Sequence, residues 1–166
     1  MSSYKAPLDD MRFALFDVLG SEAQFQRLGF ADATRDVLDA VLDEAARFTE
    51  TVLAPLNPVG DREGCKLDSA TGAVTTPAGF RQAYATFVDG GWAGLTSPVE
   101  FGGQGLPQLV GVPLKEMIDA ANLAWGNFPL LSHGAIEALL HHGEGWQQEA
   151  FLKPLVEGRW TGTMCL

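Results

Sequence analysis

Apolar residues recur along this chain at helical spacing far more than at strand spacing. Between Asp32 and Pro55 they fall at Val37, Leu38, Val41, Leu42, Ala45, Phe48 and Val52, while Asp36, Asp39, Asp43, Glu44 and Arg47 lie mostly on the other side. Spacings of three and four place one stripe of a helix against a core, so this stretch reads as the longest helix, begun by Asp32. A second clean stripe follows: Phe80, Ala83, Tyr84, Phe87 and Val88 stand at i, i+3, i+4, i+7 and i+8. Thr76-Pro77 reads as its cap and first-turn proline, and Gly90-Gly91 as its end. The aromatic residues of this stripe, with Trp92, read as core.

The remaining pattern fills in around these two. Asp9 or Asp10 can cap a helix carrying Met11, Phe13, Leu15, Phe16, Val18 and Leu19, stopped by Gly20. Ser21 followed by Gln24 opens a short helix ending near Gly29. From Pro55 to Thr76 turn formers dominate, at Asn57-Pro58, Gly60-Asp61, Glu63-Gly64 and Thr71-Gly72, predicting a long surface connection with room for a small hairpin. After the glycine-rich stretch Trp92–Pro107, Leu109, Val110, Leu114, Met117, Ile118 and Ala121 predict another helix, begun or kinked at Pro113. Its charged strip is only Lys115, Glu116 and Asp119, so it should be mostly buried. Further helices run from about Pro129 to His142 and from Trp146 to Val156, closed by Gly143 and Gly158. Trp160-Thr161-Gly162-Thr163-Met164-Cys165-Leu166 alternates larger and small residues and reads as a strand just beginning. The expected fold is therefore all-α, a bundle of five to seven helices, ending in the first strand of another domain of a longer protein.

Composition narrows the chemistry. With 46% hydrophobic residues in 166, the chain can bury a sizeable core. Its net charge of −10 makes nucleic acid and acidic membrane surfaces poor partners. Cys65 and Cys165 have no CxxC spacing and read as two reduced thiols. The N-terminus has no apolar signal core and no run is long enough to span a bilayer, so a cytoplasmic location is expected.

Motifs with chemical promise are few. Gly102-Gly103-Gln104-Gly105 lacks the Lys-Ser/Thr of a phosphate loop, and Gln108 stands where a dinucleotide fingerprint needs its third glycine. It reads as a tight loop where backbones pass closely. His141 and His142 point in different directions on a helix, and His133 brings no ligand partner at metal spacing. No nucleophile–base pair is supported, so no catalytic or metal-ligating residue is assigned. Spacing and composition alone lead to an acidic helical domain.

Several stretches together resemble the acyl-CoA dehydrogenase family. Tyr4-Lys5-Ala6-Pro7-Leu8-Asp9-Asp10-Met11-Arg12-Phe13 and Asp61-Arg62-Glu63-Gly64-Cys65 resemble a long bacterial branch acting on long-chain acyl-CoA and methylthiopropionoyl-CoA. Gly90-Gly91-Trp92-Ala93-Gly94-Leu95, through Pro98 to Gly102-Gly103-Gln104-Gly105-Leu106-Pro107, resembles the family's G-W-x-G-L…P…G-G-x-G-L-P signature. Ala121-Asn122-Leu123-Ala124-Trp125 follows in place. Trp160–Leu166 looks like the strand that leads into Thr-Glu-Pro.

The resemblance implies an N-terminal extension over 1–30, the family's N-terminal helical domain over 31–158, and the start of a middle β-domain over 159–166. It implies FAD, held mostly by a middle β-barrel, and a catalytic glutamate in a C-terminal helical domain. It implies that acyl-CoA is oxidised to trans-2-enoyl-CoA, with electrons passed to electron-transferring flavoprotein, by a homo-oligomer. Phe128, Leu131, Ser132, Ala135 and Leu139 would form one wall of the acyl slot, and the backbone of Met164 and Leu166 would approach the flavin. The small side chain of Ala135 would leave room for longer acyl chains; the alternatives are that this face is ordinary core and that Gly134 and Ala135 are small for helix packing. This piece alone is expected to be inactive. The competing reading is a stand-alone helical protein-interaction module without catalysis.

Overall fold

The computed structural model describes residues 4–163. Within them the fold is all-α, with one small two-stranded ladder. Helix α1 (Leu8–Arg12) runs on through a π-type stretch, Phe13–Val18, to Gly20 at φ +54. Helix α2 (Ser21–Arg27) follows. Helix α3 (Arg35–Phe48) is capped by the Thr34 side chain, which accepts from the Val37 N–H, and not by Asp32. Its stripe is buried at Leu38, Leu42, Ala45 and Phe48, as the pattern predicts.

Pro55 does not end this helical stretch. The chain widens through a π-type segment, Thr49–Leu53, and restarts as α4 (Ala54–Glu63). Thr49, fully buried, donates its hydroxyl to the carbonyls of Ala45 and Ala46. Pro55 then falls in the first turn of α4, where a missing N–H costs least. The Leu53 carbonyl at the junction accepts instead from Asn122 Nδ2 at 3.2 Å. The expected connection is therefore shorter than the turn formers suggest, and it holds the hairpin of β1 (Lys66–Leu67) and β2 (Val74–Thr75). Helix α5 (Phe80–Asp89) begins after Gly79, not at Thr76-Pro77. Gly79 has φ +83, and a Cβ there would sit 2.6 Å from Leu56 of α4, so the close packing of α4 on this turn sets the start.

Helix α6 (Gln108–His142) has non-helical backbone at Asn122, with φ −162 and ψ 84. The two arms fold back on each other. Gln108 Nε2 lies 3.1 Å from Glu137 Oε1, although 29 residues of straight helix would span roughly 40 Å. Asn122 caps the second arm: its Oδ1 accepts from the Trp125 N–H three residues on. Residues 143–158 close the chain back through α7 (Gly145–Gln147), a π-type stretch (Gln148–Leu152) and α8 (Lys153–Val156). Residues 160–163 have no regular structure, and the rest of the expected strand lies outside the described residues.

The main core joins α3, α5 and the first arm of α6. Phe48 packs within 6.1–6.5 Å, ring centre to ring centre, of Phe87, Trp92 and Trp125. The Trp125 indole N–H donates to the Phe80 carbonyl at 3.3 Å. A smaller cluster, Ile136, Leu152, Leu155 and Val156, ties the far end of the second arm to α8. The N-terminal lead is held by charge: Lys5 and the Ala6 N–H meet Glu50, and Arg12 spans Asp39 and Asp43.

Candidate functional site

The second arm of α6 carries all five residues expected at an acyl wall. Phe128 is exposed and meets the ring of Tyr84 edge-on, 5.1 Å between centres. Leu131, Ser132 and Ala135 are half-buried under the segment that follows α8. The Gly162 N–H donates to Ser132 Oγ at 3.0 Å. A Cβ at Gly162 would stand 2.9 Å from Ala135 Cβ and 3.2 Å from Ser132 Cα. Leu139 lies apart from these, one turn beyond Ala135, against the small cluster with Ile136 and Leu155. Its carbonyl accepts from the Gly143 N–H and from Gln148 Nε2. All five residues of the predicted wall are thus on one side of the arm, with Leu131, Ser132 and Ala135 grouped at the crossing segment and Leu139 one turn further on.

The approach of Gly162 gives Ala135 a packing reason to be small. Among the described residues an added Cβ at Gly134 meets nothing within 4 Å, so no described contact requires it to be small. Acyl-chain length is therefore not readable from this pair of small residues.

A cavity of about 460 Å³ opens between the arms of α6, with Tyr84, Phe87, Leu95 and Ile118 among its walls. Of the five predicted wall residues, Ser132 lines it. Its polar fringe includes Gln108, Lys115 and His133. Lys115 is already paired with Asp119 one turn along. Tyr84 sits at the inner side and donates its hydroxyl to the Gly158 carbonyl at 2.9 Å. Burial pushes the Tyr84 phenol up from its ordinary range, so it remains a neutral donor.

Two residues matter here that local pattern did not single out. Tyr84 reads as an ordinary member of an apolar stripe, yet a buried tyrosine needs a partner for its hydroxyl, and that need was the available signal. Asn122 reads as part of a motif, while its capping position before Trp125 marks the reversal. The glycine-rich loop is a set of close backbone crossings: a Cβ at Gly103 would collide with the Ser97 carbonyl, and the Gly105 N–H donates to that same carbonyl at 2.9 Å. His141 faces Glu137 at 3.4 Å, one turn back along the arm. Met164 and Leu166, the expected flavin contacts, lie outside the described residues.

Residues 36–159 match the sequence profile of the acyl-CoA dehydrogenase N-terminal domain, three-quarters of the chain. The chain belongs to the acyl-CoA dehydrogenase family. It is 40% identical over 165 residues to the 3-methylmercaptopropionyl-CoA dehydrogenase of Ruegeria pomeroyi, covering 99% of this chain and 28% of that protein. It is 29% identical over its whole length to the broad-specificity linear acyl-CoA dehydrogenase FadE5 of Mycobacterium tuberculosis, covering 27% of that protein. It is 29% identical over 132 residues to the butyryl-CoA dehydrogenase of Syntrophomonas wolfei, covering 79% of this chain and 22% of that protein. The chain thus spans about a quarter of the length of these curated relatives. The helical hairpin of α6 and the glycine crossings fall within the matched residues. No helix among the described residues is long and apolar enough to cross a membrane.

Proposed function

We propose that this chain is the N-terminal helical portion of an FAD-dependent acyl-CoA dehydrogenase, cytoplasmic and homo-oligomeric, that oxidises acyl-CoA to trans-2-enoyl-CoA. In this reading residues 1–30 are an extension, 31–158 the helical domain and 159–166 the lead into the next domain. The observation that carries the reading is the second arm of α6. It is apolar at Phe128, Leu131 and Ala135, only half covered, and faces the segment by which the chain leaves the domain.

The part this chain plays is to hold and to dry. Phe128, Leu131, Ser132, Ala135 and Leu139 would form one side of a slot for the acyl chain. Each buried methylene contributes about 0.8 kcal/mol of binding, and excluding water strengthens the charge interactions at the reacting carbons. The base that takes the α-proton and most contacts to the flavin belong, in this reading, to other parts of the protein. The flavin, when bound, supplies the acceptor for the β-hydrogen. Its electrons would pass on to electron-transferring flavoprotein.

The test is acyl-CoA-dependent reduction of an electron-accepting dye by the full-length protein, with its flavin measured by absorbance. The reading predicts stoichiometric flavin and turnover in the full-length protein and neither in residues 1–166 alone. A full-length protein without flavin, or without acyl-CoA-dependent reduction, contradicts it. The competing interaction-module reading predicts that outcome.

A further inference from the structure

The segment after α8 is pinned to the helical domain at two points four residues apart. At the first, Tyr84 Oη donates to the Gly158 carbonyl at 2.9 Å. Gly158 has φ +71, and a Cβ there would lie 2.7 Å from Val88, so the backbone itself lies against α5 at this pin. At the second, the Gly162 N–H donates to Ser132 Oγ at 3.0 Å.

The second pin is the informative one. A half-buried backbone N–H needs a partner. In the middle of a helix arm the backbone carbonyls are already taken by the i to i+4 ladder. The Leu131 carbonyl lies 3.3 Å from where a Gly162 Cβ would be, near but within that ladder. On the face shared by Leu131 and Ala135 it is the hydroxyl of Ser132, and not a ladder carbonyl, that accepts this N–H.

We propose that Ser132 is a positioning residue: its hydroxyl fixes the 158–163 segment in direct contact with the second arm of α6 at Ser132 and Ala135, and so sets where that segment lies along the arm. Gly162 is the matching half, because its bare backbone lets the two approach until its Cα is packed on Ser132 and Ala135. The pinning itself does not depend on the reaction. Its consequence for the shape of the acyl slot rests on the reading given under Proposed function.

The experiment is site-resolved hydrogen exchange on the full-length protein carrying Ser132→Ala or Ser132→Thr, read at the Gly162 and Trp125 amides. Losing a hydrogen bond of ordinary strength should speed Gly162 exchange roughly tenfold in Ser132→Ala. Ser132→Thr should restore slow exchange, and the Trp125 amide should be unaffected in both. Unchanged exchange at Gly162 in Ser132→Ala overturns the proposal. So does equal acceleration at Trp125, which would show general loosening. In the same preparations, Ser132→Ala should raise the KM for octanoyl-CoA several-fold more than it lowers kcat. A fast Gly162 amide with no change in that split keeps the pin and removes its bearing on the slot. Absence of any turnover in the unsubstituted protein counts against the functional reading and leaves the exchange result standing.

Discussion

The two arms of α6 share one stretch of secondary structure and differ in almost everything else. The first arm is spent on the core: Val110, Leu114, Met117, Ile118 and Ala121 are all buried. The second arm is anchored at its root by Trp125 and Gly126 and again at Ile136. Between and around those anchors it leaves Leu123, Phe128 and Leu130 at 55%, 54% and 42% exposure. Leu123 and Leu130, seven residues apart, share one side of the arm and Phe128 stands nearly opposite, and side chains so exposed contribute little to this domain's own stability. One arm holds the fold, the other presents a face, and Asn122 is the joint between them.

The largest expected effect is in the first arm. Met117 is fully buried, so Met117→Ala should cost about 3 kcal/mol by the usual range for core truncations, measured as unfolding free energy in urea. Leu130→Ala in the second arm should stay within about 0.5 kcal/mol. Equal losses at the two positions would break the comparison.

The joint comes next. Asn122→Ala removes the cap on the Trp125 N–H and the donor to the Leu53 carbonyl, both buried. A loss of about 2 kcal/mol is expected, combining a lost cap with an unpaired acceptor. Asn122→Asp keeps the cap but sets a buried carboxylate oxygen against the Leu53 carbonyl, so it should cost at least as much as Asn122→Ala in the same titration.

Smaller effects come from the N-terminal lead. Arg12→Ala breaks its pairs with Asp39 and Asp43 and should cost about 1 kcal/mol at most, because these groups are partly exposed. Glu50 gives the pH signature. Its hydrogen bond from Lys5, then that from the Ala6 N–H, hold its carboxyl below the usual value of 4.5. A lowered folded pKa means the contribution is present above about pH 4.5 and is lost as pH falls through the depressed folded value. Comparing wild type with Glu50→Gln from pH 7 to pH 3 should show the stability difference shrinking across that acid window. A difference constant with pH would remove Glu50 from the account of the lead.

Local pattern made α3 and α5 legible because each buries one face against one core. It failed at α4, where Pro55 and Pro58 read as breakers. The restart depends on a π-type widening and on Asn122, 69 residues away, taking the Leu53 carbonyl. It also read two helices, ending near Ala121 and beginning near Pro129, without the reversal that joins them. The second arm in fact starts at the Asn122 cap, earlier than Pro129, because Asn122 both ends one ladder and opens the next. Leu131, Ser132 and Ala135 came from the family resemblance, and the structure groups them. The partner that groups them, Gly162, is 30 residues from Ser132 and leaves no periodic trace. That contact gives position 135 a packing reason to be small.

The most direct test of the claim that the second arm is the presenting face is exchange protection along α6 when octanoyl-CoA is added to the full-length protein. The account predicts new protection over residues 128–139, with residues 108–121 unchanged. Protection confined to the first arm, or none on either while octanoyl-CoA is bound, would contradict it.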